Sequence, residues 1–130
     1  MNLFIDTSTL VKRYIDEIGS SNLNRYFEIA NDVFISQITK IEYTSALTRR
    51  KNENSIDNYN FKIALNKFLI DYNYFSIIDF SREIERLAFD FILNYNLRSI
   101  DSIQLAYAYL CKTDYFLTSD KNFIMQHNQF

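Results

Sequence analysis

Leu3-Phe4-Ile5-Asp6-Thr7-Ser8-Thr9-Leu10-Val11 places three apolar residues, one acid and a run of hydroxyl side chains ahead of the next apolar pair. A run so short and so apolar fits a strand buried on both faces. Ser8 or Thr7 is expected to cap a following helix that carries Leu10, Val11, Tyr14 and Ile15 on one face. The unit is strand, turn, helix, with Asp6 at the turn.

The same alternation continues outward. Gly19-Ser20-Ser21 reads as a break and a new helix start, followed by Leu23, Tyr26, Phe27 and Ala30 at helical spacing. Val33-Phe34-Ile35 is a second buried strand. Ile38, Ile41, Ser45 and Ala46 share the next helical stripe, and that helix ends in Arg49-Arg50-Lys51. Asn52 to Asn60 is expected to turn before a helix with Phe61, Ala64, Leu65, Phe68 and Leu69 that stops near Asn73. Phe75-Ser76-Ile77-Ile78 makes a third strand, and Ile84, Leu87, Ala88, Phe91 and Ile92 mark the helix after it. Ser99 caps a helix carrying Ile100, Ile103, Ala106, Tyr107 and Leu110; Tyr115-Phe116-Leu117 is the last strand, and Asp120 opens a closing helix. Short apolar strands separated by amphipathic helices predict an α/β fold: one domain over residues 1–130, a parallel sheet of about four short strands flanked by helices on both faces.

Composition narrows the chemistry. With 130 residues, 48% of them hydrophobic, no proline and a single glycine, the chain is long enough for one core and unlike a disordered or linker sequence. One cysteine, Cys111, excludes an internal disulfide framework, and one histidine, His127, excludes paired-histidine acid/base chemistry. Cys111 is expected to be buried and inert, and His127 solvated and without a catalytic role. The amino terminus has no basic segment and no stretch reaches the length of a membrane span, so the expected location is cytoplasmic, with no membrane partner. Acids outnumber bases 16 to 14, so attraction to a phosphate backbone must come from a local patch.

Parallel sheets bind ligands outside the carboxyl ends of their strands. Asp6 follows the first strand and Asp120 lies beyond the last; Asp101 sits in the first turn of the preceding helix, and Glu42 lies on the helix after the second strand. Each has an ordinary reading. Asp6 and Asp120 suit helix caps, Asp101 suits the positive end of a helix dipole, and a lone Glu on an apolar stripe suits an arginine partner. Together, four carboxylates at one rim repel each other unless cations compensate, and oxygen donors without His or Cys suit Mg²⁺ or Mn²⁺.

The combination has a family likeness. Phe4 to Tyr14, with Glu17-Ile18-Gly19-Ser20 after it, resembles the opening of PIN-domain ribonucleases of the VapC toxin type. Ile41-Glu42-Tyr43-Thr44-Ser45-Ala46-Leu47 is similar to their second motif, Leu97 to Ala106 to their third, and Phe116 to Phe123 to their fourth. The likeness covers nearly the whole chain and keeps motif order. It implies a PIN-like fold and a Mg²⁺- or Mn²⁺-dependent endoribonuclease, in which metal-activated water hydrolyses RNA to leave a 5′-phosphate and a 3′-hydroxyl. It also implies the toxin of a toxin–antitoxin pair, a homodimer, and a small antitoxin whose tail blocks the site. Asp6, Glu42, Asp101 and Asp120 would be the metal-site acids, with Thr118 and Ser8 assisting.

Other positions follow from the same comparison. Arg98, near Asp101, is the candidate for phosphate contact. Gln104 stands where many relatives place histidine, and Asn94 to Asn96 replaces a region often richer in Gly or Pro; neither is expected to touch the acids, and both are expected to bear on substrate contacts. Arg49, Arg50 and Lys51 complement a helix dipole or form a phosphate patch beside the acids. The 12 Phe and 10 Tyr are expected to pack in the core and a dimer interface. A phosphohydrolase of the haloacid dehalogenase type also starts with an acid after its first strand, but it needs a second Asp where Ser8 stands. The non-enzyme alternative is a catalytically inactive PIN-like scaffold that binds protein or RNA, which would be expected to have lost one of the acids.

Overall fold

The apolar run at the start of the chain becomes the centre of the molecule. In the computed structural model, which describes residues 1–16 and 20–118, Asn2–Ile5 forms strand β1. It pairs in parallel with β2 (Asp32–Ser36) on one side and β4 (Tyr115–Leu117) on the other. β3 (Ser76–Ile78) extends the sheet beyond β2, giving the order β3-β2-β1-β4. Leu3 lies opposite Val33 and Tyr115, and Phe4 opposite Phe34 and Phe116. Parallel neighbours need long crossovers. The described residues supply helices α1 (Thr7–Tyr14), α2 (Ser20–Ile29), α3 (Thr39–Asn52), α4 (Asn58–Tyr72), α5 (Arg82–Tyr95) and α6 (Ser99–Cys111). Gly19 and the helix expected after Asp120 lie outside the described residues.

Side chains alternate across a strand, so β1 feeds two cores. Leu3 and Ile5 pack with Leu10, Ile35, Tyr43, Leu47 and Phe68 on the face covered by α1 to α4. Phe4 belongs to the opposite core, with Ile84, Leu87 and Phe91 of α5 and Leu105, Ala106 and Tyr107 of α6. All three apolar residues of β1 are fully buried, which is why the run shows no polar alternation. Helices cover both faces, as the spacing of apolar runs predicts.

Four local expectations need correction. The α1 cap is Asp6, whose side chain accepts from the Thr9 N–H, and neither Ser8 nor Thr7. The buried face of α3 is Thr39, Tyr43 and Leu47, whereas Ile41 is 73% exposed. Tyr43 wins the interior because its ring stacks on Phe68 at 4.2 Å while its hydroxyl donates to the Ala64 carbonyl at 3.0 Å. Thr39 is likewise satisfied by the Ser36 hydroxyl at 3.1 Å. In α6 the cap position is Arg98 without a side-chain bond, Ser99 is the first helical residue, and Ile100 faces out. The α5 terminus follows the chemistry of asparagine: Asn96 closes it in the left-handed region at φ 53. Cys111 is half-buried rather than buried, and that burial pushes its thiol pKa up and keeps it protonated. No helix of the described residues is long and apolar enough to cross a membrane.

Phe68 is fully buried between Tyr14, Tyr43 and Tyr72. Phe68→Ala is expected to lower unfolding free energy by about 3–5 kcal/mol in urea titrations. Phe89→Ala on α5, 62% exposed, should stay within about 0.5 kcal/mol of wild type; equal losses at the two sites would contradict this core assignment.

Candidate functional site

The strand order locates the site. β2 and β3 lie on one side of β1 and β4 on the other, so the sheet changes direction between β1 and β4. Asp6 leaves β1 at that crevice and Thr118 leaves β4 beside it, with the Asp6 N–H donating to the Leu117 carbonyl at 3.2 Å.

Asp6 is 5% exposed. Its Oδ1 accepts from the Thr9 N–H at 3.0 Å and the Ser8 hydroxyl at 3.1 Å, and the Thr118 hydroxyl also reaches the carboxylate. The negative charge therefore rests on the positive end of α1, where the dipole favours it. Burial pushes the Asp6 pKa above its ordinary value, and the donors from Thr118, Thr9 and Ser8 pull against that shift. The cap reading of Asp6 is borne out: its carboxylate closes the first turn of α1.

Glu42, half-buried on α3, is held from two directions. The Thr7 hydroxyl donates to its Oε1 at 3.0 Å, and the Gln104 side-chain N–H donates to the same oxygen at 2.6 Å. Burial raises the Glu42 pKa; these two bonds lower it, and the charges of Asp6 and Asp101 raise it further. Asp101, half-buried in the first turn of α6, is thus close enough to Glu42 for its charge to count. Three of the four expected acids, contributed by the end of β1, by α3 and by α6, lie near enough for the charges of Asp6 and Asp101 to act on Glu42. Asp120, the fourth, lies outside the described residues.

The donors are carboxylate and hydroxyl oxygens throughout, which fits Mg²⁺ or Mn²⁺ and not a zinc site. Among the described residues no three acidic, His or Cys side chains are grouped tightly enough to hold one ion unaided. Ser8 is exposed at the mouth, and Thr118 is partly buried. Arg98 is exposed three residues ahead of Asp101, at the cap of α6. A cleft lined by Thr7, Ser8, Ile41, Glu42, Arg49 and Arg50 runs past Glu42 along α3. Lys51 is turned away from that role, with its ammonium 4.3 Å over the Phe61 ring.

The expectation that Gln104 stays clear of the acids is overturned. Gln104 is 2% exposed and its amide reaches both Glu42 and, at 3.4 Å, the Thr7 hydroxyl. Its Oε1 is buried with no hydrogen-bond partner, an arrangement that costs about 1–3 kcal/mol. The amide cannot turn to relieve this, because turning would set oxygen against the Glu42 carboxylate. One signal was available: Gln104 follows Asp101 by three residues, which puts both on one side of α6.

Comparison with solved structures gives the same fold at low identity. The Mycobacterium tuberculosis protein VapC20, described as a sarcin–ricin loop cleaving toxin, superposes with a TM-score of 0.73 at 14% identity, covering 95% of this chain and 93% of that one. A toxin–antitoxin complex from Klebsiella pneumoniae gives 0.68 at 20% identity, covering 93% and 89%. VapBC2 from Rickettsia felis, bound to a DNA fragment from its promoter, gives 0.69 at 17%, covering 98% and 95%. No curated protein matches the sequence. The PIN domain family model matches residues 3–125, and the chain belongs to the PIN domain family.

Proposed function

We propose that this PIN domain is a Mg²⁺- or Mn²⁺-dependent endoribonuclease and the toxin of a toxin–antitoxin pair. The observation that carries the reading is the meeting of Asp6, Glu42 and Asp101 at the switch point of the sheet, where Glu42 feels both other charges. Structural purposes alone leave such a gathering of acids unexplained, since like charges in a partly buried rim oppose folding. The likeness in fold to a toxin that cleaves RNA and to two toxin–antitoxin assemblies supports the substrate class and the partner.

Asp6 and Asp101 would hold the principal ion, with Glu42 and Asp120 completing its surroundings directly or through water. When bound, the ion supplies neutralisation of the phosphodiester charge and activation of the water that attacks it. The chain's own groups do the rest. Ser8 and Thr118 fix the Asp6 carboxylate. Arg98 meets a phosphate oxygen beside Asp101, and Arg49 and Arg50 continue the contact along the cleft of α3. Such contacts position RNA and carry no sequence information. The products would carry a 5′-phosphate and a 3′-hydroxyl. A homodimer, a small antitoxin whose tail enters the cleft, and action in the cytoplasm belong to the same reading.

Defined RNAs incubated with Mn²⁺ should be cut, and a chelator should stop the reaction. Asp6→Asn keeps the α1 cap but removes the charge, so it should fold and lose Mn²⁺-dependent cleavage. Cutting that survives the chelator, or a fully active Asp6→Asn, would refute the assignment; a metal-binding protein that cuts no RNA would point to the inactive scaffold.

The same acids set a pH dependence. Asp6 and Glu42 have folded-state pKa values raised above their ordinary 3.8 and 4.5, so the ion-free fold is favoured on the acid side. Stability is lost as pH rises from the ordinary values through the raised ones. In chelator, Asp6→Asn should therefore melt above wild type at pH 7, with the gap closing toward pH 4. A gap that widens on acidification would show the sign to be wrong.

A further inference from the structure

Gln104 of α6 spans a gap that nothing in the local sequence closes. Its N–H lies 2.6 Å from Glu42 Oε1 across 62 residues of chain, and the Thr7 hydroxyl meets the same oxygen. Both donors therefore grip one oxygen of the carboxylate, Oε1. The grip leaves Gln104 Oε1 buried without a donor, a cost that Leu or Met at this position would not incur. We propose that Gln104 is a positioning residue, which fixes Oε1 of Glu42 so that Oε2 is presented to a divalent cation. This rests on the metal-dependent reading above. Carboxylates that ligate ions are commonly fixed in this way through their second oxygen.

The test is calorimetric titration of the chelator-treated full chain with Mn²⁺ alone. Gln104→Leu should weaken Mn²⁺ binding about 10- to 100-fold, the usual loss when such a support is removed. It should keep or increase the midpoint of urea unfolding, because the stranded oxygen is gone. Gln104→Met serves the same purpose if the branched side chain does not fit. Because Gln104 acts through Glu42, adding Gln104→Leu to Glu42→Gln should cause no further loss. A purely structural Gln104 would instead lower the urea midpoint and leave Mn²⁺ affinity unchanged. Wild-type affinity that Glu42→Gln lowers and Gln104→Leu does not, or equal losses in both backgrounds, overturns the role of Gln104 alone. A wild-type protein with no Mn²⁺ affinity dependent on Asp6 and Glu42 removes the metal reading and this role together.

Discussion

A carboxylate that is 5% exposed, at the end of a strand whose three apolar residues are fully buried, is the constraint around which this fold is arranged. Desolvation opposes a charge there, so the surroundings must return what water would have given. The return comes from the first turn of α1, from the Ser8 and Thr118 hydroxyls, and from the aligned peptide dipoles behind Thr9. Those donors come from both strands that flank the crevice, since Thr118 follows β4. The charge is thus held in place by the sheet's own topology.

That arrangement asks for a rigid frame, and the two cores provide it. Phe4 stacks on Tyr107 at 6.3 Å and meets Phe116 edge-on at 5.8 Å, tying β1 to α6 and β4. On the other face Tyr14 packs edge-on against Tyr43 and Phe68, and its hydroxyl donates to Asp71 at 2.7 Å. Arg13 donates to the same carboxylate at 2.9 Å and lies 4.1 Å over the Phe27 ring. The far end of α1 is therefore fixed to α4 and α2, while its near end carries Asp6. A partly buried Asp71, whose Oδ2 accepts from both Arg13 and Tyr14, contributes orientation here more than net stability.

Much of this was legible in the chain because it is local. Three consecutive apolar residues followed by an acid describe β1 and the turn after it. The apolar stripe of α6 was legible at Ala106 and Tyr107, whereas the buried face of α3 and the polar part of that of α6 were not legible by hydrophobicity. Thr39, Tyr43, Ser102 and Gln104 are interior residues with polar atoms, and an apolar count assigns the interior to Ile41 and Ile100 instead. The polar atoms of Thr39 and Tyr43 are matched by partners that periodicity does not reveal, Ser36 and Ala64. The approach of Asp6, Glu42 and Asp101 was inferable only from the rule that strand ends share an edge; of the bonds that orient Glu42, only the spacing of Gln104 from Asp101 gave a sign.

The two central acids therefore depend on the fold in different ways. Asp6 is oriented mainly by residues two and three places along the chain, so a short motif suffices to place it. Glu42 is oriented by partners 35 and 62 residues away, and its position is correct only when α3, α6 and the turn after β1 have all docked. A sequence can therefore retain every acid of the motif and still lose the site through a change in helix packing. In this chain the aim of Glu42 therefore depends on a donor from the facing side of α6 as well as on the acids themselves. The switch point of the sheet supplies the place, and long-range packing supplies the aim.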